Sequence, residues 1–241
     1  MFIIKIYNIF ILKQEVVYIN KLINLEKNID NTYKEINYRN DDEYKSVMEI
    51  YYAALIKTKN IIKDLQKELN KYAGYEIIHD VTSRIKSYDS IINKMKKKKI
   101  NFTYEELIEN INDIAGIRII CMSEEDIYKI VKILSSMQEI NVIKEKDYIK
   151  NCKKSGYSAY HLIIEVPIYK EDKRVWVKVE IQIKTMAMDF WSCIEHKVKY
   201  KSSKEISKRD SKKLKVYAKI ISKINRSMIK MYKNNYKYIE N

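Results

Sequence analysis

Residues 175–184 read VWVKVEIQIK. Val175, Val177, Val179, Ile181 and Ile183 fall on one parity, and Trp176, Lys178, Glu180, Gln182 and Lys184 on the other. Strict alternation of this kind is the period of a β-strand. Members of one face follow each other at about 7 Å. One face is therefore wholly apolar, and the other lines up a carboxylate, an amide and an amine. An ordinary solvated sheet face would carry the same pattern, so this strand establishes a sheet before it establishes a site.

Outward from this strand, Tyr160 to Tyr169, Val142 to Ile149, Ile114 to Met122 and residues 76–86 (EIIHDVTSRIK) also read as strands. Between and around them the period changes to that of a helix. Residues 42–72 carry Val47, Ile50, Tyr51, Ala54, Leu55, Thr58, Ile61, Ile62 and Leu65 on one stripe, and Gly74 ends that helix. Ser90 to Lys99, Asn101 to Ile111, Ser123 to Gln138 (opened by Ser123 with Asp126) and Thr185 to Tyr200 are expected helices, as are 14–38 and a lysine-rich 203–239. The fold class is α+β: a mixed sheet of about five strands flanked by helices, with long N- and C-terminal helices. Residues 1–44 form an apolar segment and helix, 45–203 the central domain, and 204–241 a basic C-terminal helix.

Of the 241 residues, 46% are apolar, which suffices for a substantial core. One proline and three glycines leave no linker-like stretch, and no repeat is visible. The net charge is +15, nearly all from lysine. Such a field attracts polyanions, either nucleic acid or free nucleotides. Lys, Ile, Asn and Tyr are abundant throughout, so the charge alone names no partner. The few arginines are more informative, because lysine does not replace a rigid bidentate fork. Cys121, Cys152 and Cys193 suit neither a disulfide framework nor a zinc pattern. Cys193 and His196 share a helix face, but two ligands do not make a site. A reducing, cytoplasmic setting follows. The opening MFIIKIYNIFILKQ is too short to span a bilayer and reads as a strand or helix packed on the body.

A second informative stretch is NDIAGIRIIC, 112–121. Asp113 stands at the mouth of a buried strand. Arg118 lies inside the apolar run, where it needs an acidic neighbour or a ligand. Gly116 permits close backbone approach or a bulge. Asp113 and Arg118 differ in parity and share a face only through such a bulge. On neighbouring strands, Asp113 and Glu180 would make a pair of hard oxygen ligands, and magnesium takes one or two carboxylates beside water and phosphate. Arg84, Lys86, Ser87, Lys94 and Lys97 are candidates for phosphate contact. No GxxxxGK[ST] or GxGxxG is present, which excludes a P-loop and argues against a dinucleotide fold.

Four motifs recur together in order: RIKSYDSIINKMKKK, DIAGIRIIC, EKDYIKNCKKSGYSAYH and VEIQIKTMAMDFWSCIEHKVKYK. Their order and spacing resemble the RelA/SpoT-type (p)ppGpp synthetase domain, most closely the stand-alone small alarmone synthetases of the RelQ group. The resemblance covers roughly residues 45–203 and implies a nucleotidyltransferase-like synthetase fold. It implies transfer of the β,γ-pyrophosphate of ATP to the 3′-OH of GDP or GTP, with GMP a further acceptor, and Mg²⁺ as the cofactor. Asp113 and Glu180 would hold the metal, Glu180 would help deprotonate the 3′-OH, and Gln182 would support it, with Lys184 alongside. Arg84 and Arg118 would sandwich adenine, and Lys86, Ser87, Lys94 and Lys97 would bind the ATP phosphates. Lys146, Lys153 and His161 match the guanine-nucleotide side, Tyr157 would stack on guanine, and Asp189 and Glu195 would face its edge.

The sequence departs from the family in two places. The usual GYRSLH or GYRSYH is GYSAYH, so Ser158 stands for an arginine, and the usual IRT is IKT, with Lys184. Both remove a rigid cation near the acceptor. The resemblance also implies a homotetramer, with single-stranded RNA or an alarmone as regulator and with neither DNA nor a membrane as partner. Two other readings use the same residues. One is a toxic relative that pyrophosphorylates the 3′ end of tRNA, and the other is an inert nucleotide- or RNA-binding module.

Overall fold

The 175–184 alternation becomes the central hairpin arm of a five-stranded sheet. The computed structural model describes residues 42–170, 173–201 and 207–237. The expected helix 14–38 and the apolar opening lie outside the described residues. Its strands are β1 (Ile78–Ile85), β2 (Ala115–Cys121), β3 (Asn141–Asp147), β4 (Tyr160–Lys170) and β5 (Lys173–Thr185). The described helices are α1 (Asp42–Ala73), α2 (Tyr88–Lys98), α3 (Tyr104–Asn110), α4 (Glu124–Ser135), α5 (Met186–Lys201) and α6 (Lys208–Lys237). The sheet order is β1-β2-β5-β4-β3. Only β2 and β5 run parallel; every other neighbouring pair is antiparallel. The sheet is thus mixed, and the fold α+β.

The apolar parity of β5 (Val177, Val179, Ile181, Ile183) is buried, as are Ile117 and Ile119 of β2 and Leu162, Ile164 and Val166 of β4. Helix α1 covers them with Tyr51, Ala54, Leu55, Ile61, Ile62, Leu65 and Leu69, and α4 with Ile127, Ile130 and Leu134. The α1 stripe follows the sequence spacing, and Thr58 within it is buried because its hydroxyl donates to the Ala54 carbonyl at 2.7 Å. Gly74 follows α1 at φ 68, the left-handed conformation that stops a helix.

Some expected boundaries move. Helix α3 starts at Tyr104 because the Thr103 side chain accepts from the Glu106 amide and caps the helix there. Ser123 caps α4 in the same way through the Asp126 amide. That helix ends at Ser135 rather than Gln138, since the next amides return to Ile133 and Leu134 in a turn. On β5, Val175 is exposed although its parity is apolar, because it lies toward the hairpin tip where Lys170 pairs with Lys173. Lys184, of polar parity, is buried at the opposite end. None of the described helices is long and apolar enough to cross a membrane.

Candidate functional site

Strand register puts the site on the sheet face opposite α1. Directly paired residues on neighbouring strands project to the same side. One row across the sheet runs Arg84, Gly116, Glu180. The next runs Thr82, Arg118, Gln182, His161, Lys146 and crosses all five strands. Arg84, Asp113, Gly116, Arg118, Glu180 and Gln182 together line one cleft. Gly116 leaves room in it: a Cβ there would stand 3.8 Å from Cγ of Arg84, so the arginine stem lies across the glycine.

Asp113 reaches the cleft from the turn before β2, not through a bulge in the strand. The Lys86 amide donates to the Ile114 carbonyl at 2.8 Å and holds that turn against the end of β1. Lys86 Nζ donates to Asp113 Oδ2 at 3.1 Å. Lys94 Nζ, from α2, lies 2.7 Å from Oδ1, close but poorly aligned as a hydrogen bond. Burial pushes the Asp113 carboxyl up, but the two ammoniums, Lys94 foremost, outweigh it and hold the group below its ordinary value.

Glu180 is held differently. His161 Nδ1 lies 3.1 Å from Oε1, and Gln182 Nε2 donates to Oε2 at 2.8 Å. Burial raises its carboxyl and the Asp113 charge adds to that, but the His161 and Gln182 hydrogen bonds prevail and the net shift is downward. A carboxylate only accepts, so the histidine proton sits on Nδ1. Nε2 then accepts from the Tyr157 hydroxyl at 2.8 Å. Burial, followed by the charge of Glu180, keeps that hydroxyl protonated far above neutrality. Tyr157, His161, Glu180 and Gln182 form one hydrogen-bonded chain from loop to sheet.

Tyr157 lies in an aromatic and basic cluster. Lys153 Nζ stands 4.7 Å from its ring centroid and 4.6 Å from that of Tyr148, and Lys184 Nζ 5.1 Å from Tyr157. Tyr148 packs edge-on to Tyr157 and to His161, with centroids 6.0 Å and 5.3 Å apart. Lys184 donates to Ser192 Oγ at 3.3 Å and lies 3.8 Å from Asp189. Burial, then the Arg118 charge, lowers its ammonium to about 8 against the partial support of Asp189.

The arginine inside the apolar run finds its acidic neighbour: Arg118 Nη1 is 3.3 Å from Asp189 Oδ1 on α5. Arg118 Nε is buried without a hydrogen-bond partner. Ser87 stands at the N-cap of α2 with its hydroxyl on Ser90, and Lys97 is exposed on the last turn of that helix. Lys146 is half-buried beside His161 in register, and Glu195 is buried on α5, where its charge reaches Tyr157. Cys193 and His196 are both exposed, and no group of three metal-ligating side chains of the His, Cys, Asp or Glu type occurs among the described residues. Sequence reasoning passed over Tyr148, whose only signal was an aromatic at the centre of EKDYIKN. It also passed over the packing of α6 on the 153–158 loop, for which the sequence held no signal.

Hard oxygen donors on two sides of one cleft suit magnesium, which needs few protein ligands. The mutual repulsion of Asp113 and Glu180 is the electrostatic condition that a divalent cation relieves.

With this geometry in view, the family described as "Region found in RelA / SpoT proteins" matches residues 83–205. The chain is 38% identical over 195 residues to the GTP pyrophosphokinase YwaC of Bacillus subtilis, covering 78% of this chain and 93% of that one. The structure of small alarmone synthetase 1 from Bacillus subtilis bound to its product pppGpp superposes with a TM-score of 0.72 at 32% identity, covering 80% of this chain and 98% of that one. A GTP pyrophosphokinase family protein from Streptococcus pneumoniae superposes with a TM-score of 0.73 at 31% identity, covering 81% and 96%.

Proposed function

The chain belongs to the RelA/SpoT family, and from that premise we propose that it is a GTP pyrophosphokinase making (p)ppGpp-type alarmones. It moves the β,γ-pyrophosphate of ATP to the 3′-OH of GDP or GTP and releases AMP. The observation that carries this reading is the single cleft in which Asp113, Glu180, Arg84 and Arg118 converge. Phosphoryl-type transfer asks of a protein mainly in-line positioning and charge neutralisation, and such a cleft supplies both without a nucleophilic side chain.

Asp113 and Glu180 would hold Mg²⁺, which when bound neutralises phosphate charge and polarises the transferring group. Glu180, kept ionised by His161 and Gln182, accepts the 3′-OH proton. Arg84 and Arg118 clasp adenine through their planar guanidiniums, while Lys86, Ser87, Lys94 and Lys97 take the ATP phosphates. Tyr157 stacks on guanine, with Lys146, Lys153 and His161 on the acceptor side. Asp189 Oδ1 lies 3.3 Å from Arg118 Nη1 and 3.8 Å from Lys184 Nζ, and the Cys193 thiol lies 3.9 Å from Oδ2. Oδ2, with Glu195 of the same helix, accepts from the guanine edge. Adenine has no matching pair of donors.

The protein works in the cytoplasm as a homotetramer. Two exposed apolar stripes support assembly: Phe190, Ile194 and Val198 on α5, and Tyr217, Ile220, Ile224, Met228 and Met231 on α6. The relatives described above lend no support to a tRNA-directed or an inert reading.

The test is an acceptor panel. Purified protein, labelled ATP and Mg²⁺ are incubated with GMP, GDP, GTP or tRNA. Label is expected in GDP and GTP. Label in tRNA alone, or in no acceptor, contradicts the reading.

A further inference from the structure

The acceptor loop 153–158 does not stand free: α6 lies directly on it. Gly156 has φ 97, and a Cβ added there would come 2.8 Å from Cβ of Ala218, 3.3 Å from Cα of Lys215 and 3.5 Å from Cζ2 of Trp191. The first two of these neighbours are a methyl group fixed to a helix and the helix backbone itself, and neither can swing aside. Trp191 of α5 locks the contact, since its Nε1 donates to the Leu214 carbonyl of α6 at 3.0 Å. Farther along, α6 is anchored to the start of α4 by Arg226 Nε to Glu124 at 3.1 Å and Lys233 Nζ to Glu125 at 2.7 Å. The family match covers residues 83–205 and ends before α6.

We propose that α6 is a positioning element for the acceptor half-site: the contact of Ala218 with Gly156, locked by Trp191, fixes where Tyr157 presents its ring. The loop offers little resistance of its own. Gly156 N donates to Lys153 O at 2.8 Å and Lys153 N to Tyr157 O at 3.1 Å, which closes a tight turn. What carries that turn relative to the sheet is α6 on one side and the Tyr157–His161 hydrogen bond on the other. Ser158 fits the same arrangement. It lines the crevice under α6 with Met188, Trp191, Ala218 and Ile221, and no carboxylate lines that crevice. A serine suits this space, whereas an arginine side chain would need room that α6 occupies. The departure from the family at position 158 thus belongs to the brace between loop and helix.

This inference rests on the pyrophosphokinase reading, and the experiment separates the two. Wild-type transfer from ATP to GDP is measured first; its absence sinks the proposed function. The brace is then read from Ala218→Leu and Trp191→Phe. For Ala218→Leu the acceptor KM is expected to rise about tenfold with the ATP KM within about twofold, a smaller effect than the roughly hundredfold that a full 1 Å misplacement can cost. Trp191→Phe, which removes both the indole N–H and the Cζ2 edge that faces Gly156, is expected to show the same split at about threefold. In both variants, amide hydrogen exchange at 153–158 is expected to quicken while that of β5 is unchanged. This readout holds even if no transfer is found. An unchanged acceptor KM, an equal rise in both KM values, or unchanged exchange at 153–158 would overturn the proposal. If Ala218→Leu does not fold, Trp191→Phe decides by the same criteria.

Discussion

Lys184 shows how much one residue can hide. Its parity on β5 placed it on the polar face, yet it is 3% exposed. Its ammonium lies between Ser192, Asp189 and the Tyr157 ring. Burial lowers its pKa from 10.5 to about 8. Below pH 8 the lysine is charged in both folded and unfolded chains, so the folded protein bears the whole cost of the buried charge. Between 8 and 10.5 the folded chain sheds the proton while the unfolded chain keeps it, and stability gains with pH. Lys184→Met should therefore unfold at higher urea than wild type at pH 7, by up to roughly 3 kcal/mol. That gap should narrow toward pH 10. A gap that stays constant with pH, or has the opposite sign, contradicts the buried-charge account. Parity alone gave the side of the sheet for Glu180, Gln182 and Arg118. It could not give the Arg118–Asp189 pair, because those residues are brought together by where α5 turns after β5. For Asp113 it suggested a bulge, whereas a turn does the work.

Among the elements, α1 was the most legible and carries the most consequence for the core. Its stripe repeats at helical spacing from Val47 to Leu65, about five turns, and a helix that long can cover a sheet only with that stripe. Leu65 lies at its buried centre with no exposed surface. Leu65→Ala should cost about 2–5 kcal/mol through lost burial and an unfilled cavity. Denaturant unfolding with an unchanged slope checks this, and a loss under about 1 kcal/mol would mean that α1 is not the main cover of the sheet. Element ends were less legible, for local reasons. Thr103 and Ser123 fix two helix starts through side-chain caps. By contrast, the exposure of Val175 depends on how far the covering layer reaches, which no periodicity encodes.

At the scale of the whole molecule, the five strands were visible in the sequence but their order was not. The parallel pairing of β2 with β5 joins residues more than sixty positions apart, with α4, β3 and β4 between them. It is this pairing that sets Arg118 beside Gln182 and Gly116 beside Glu180. The charge of +15 said only that a polyanion would be attracted. The sheet register turns that general field into a cleft with two carboxylates at its centre. On the proposed function, this cleft transfers pyrophosphate intact from ATP to a guanine nucleotide 3′-OH. Phosphorus NMR of ATP, GDP and Mg²⁺ with the purified protein tests it most directly, with Glu180→Gln run alongside. AMP and a 3′-diphosphate resonance are expected to grow in equal amounts, and the folded Glu180→Gln variant is expected to produce neither. Growth of ADP or orthophosphate in their place, or wild-type turnover in Glu180→Gln, would contradict the account.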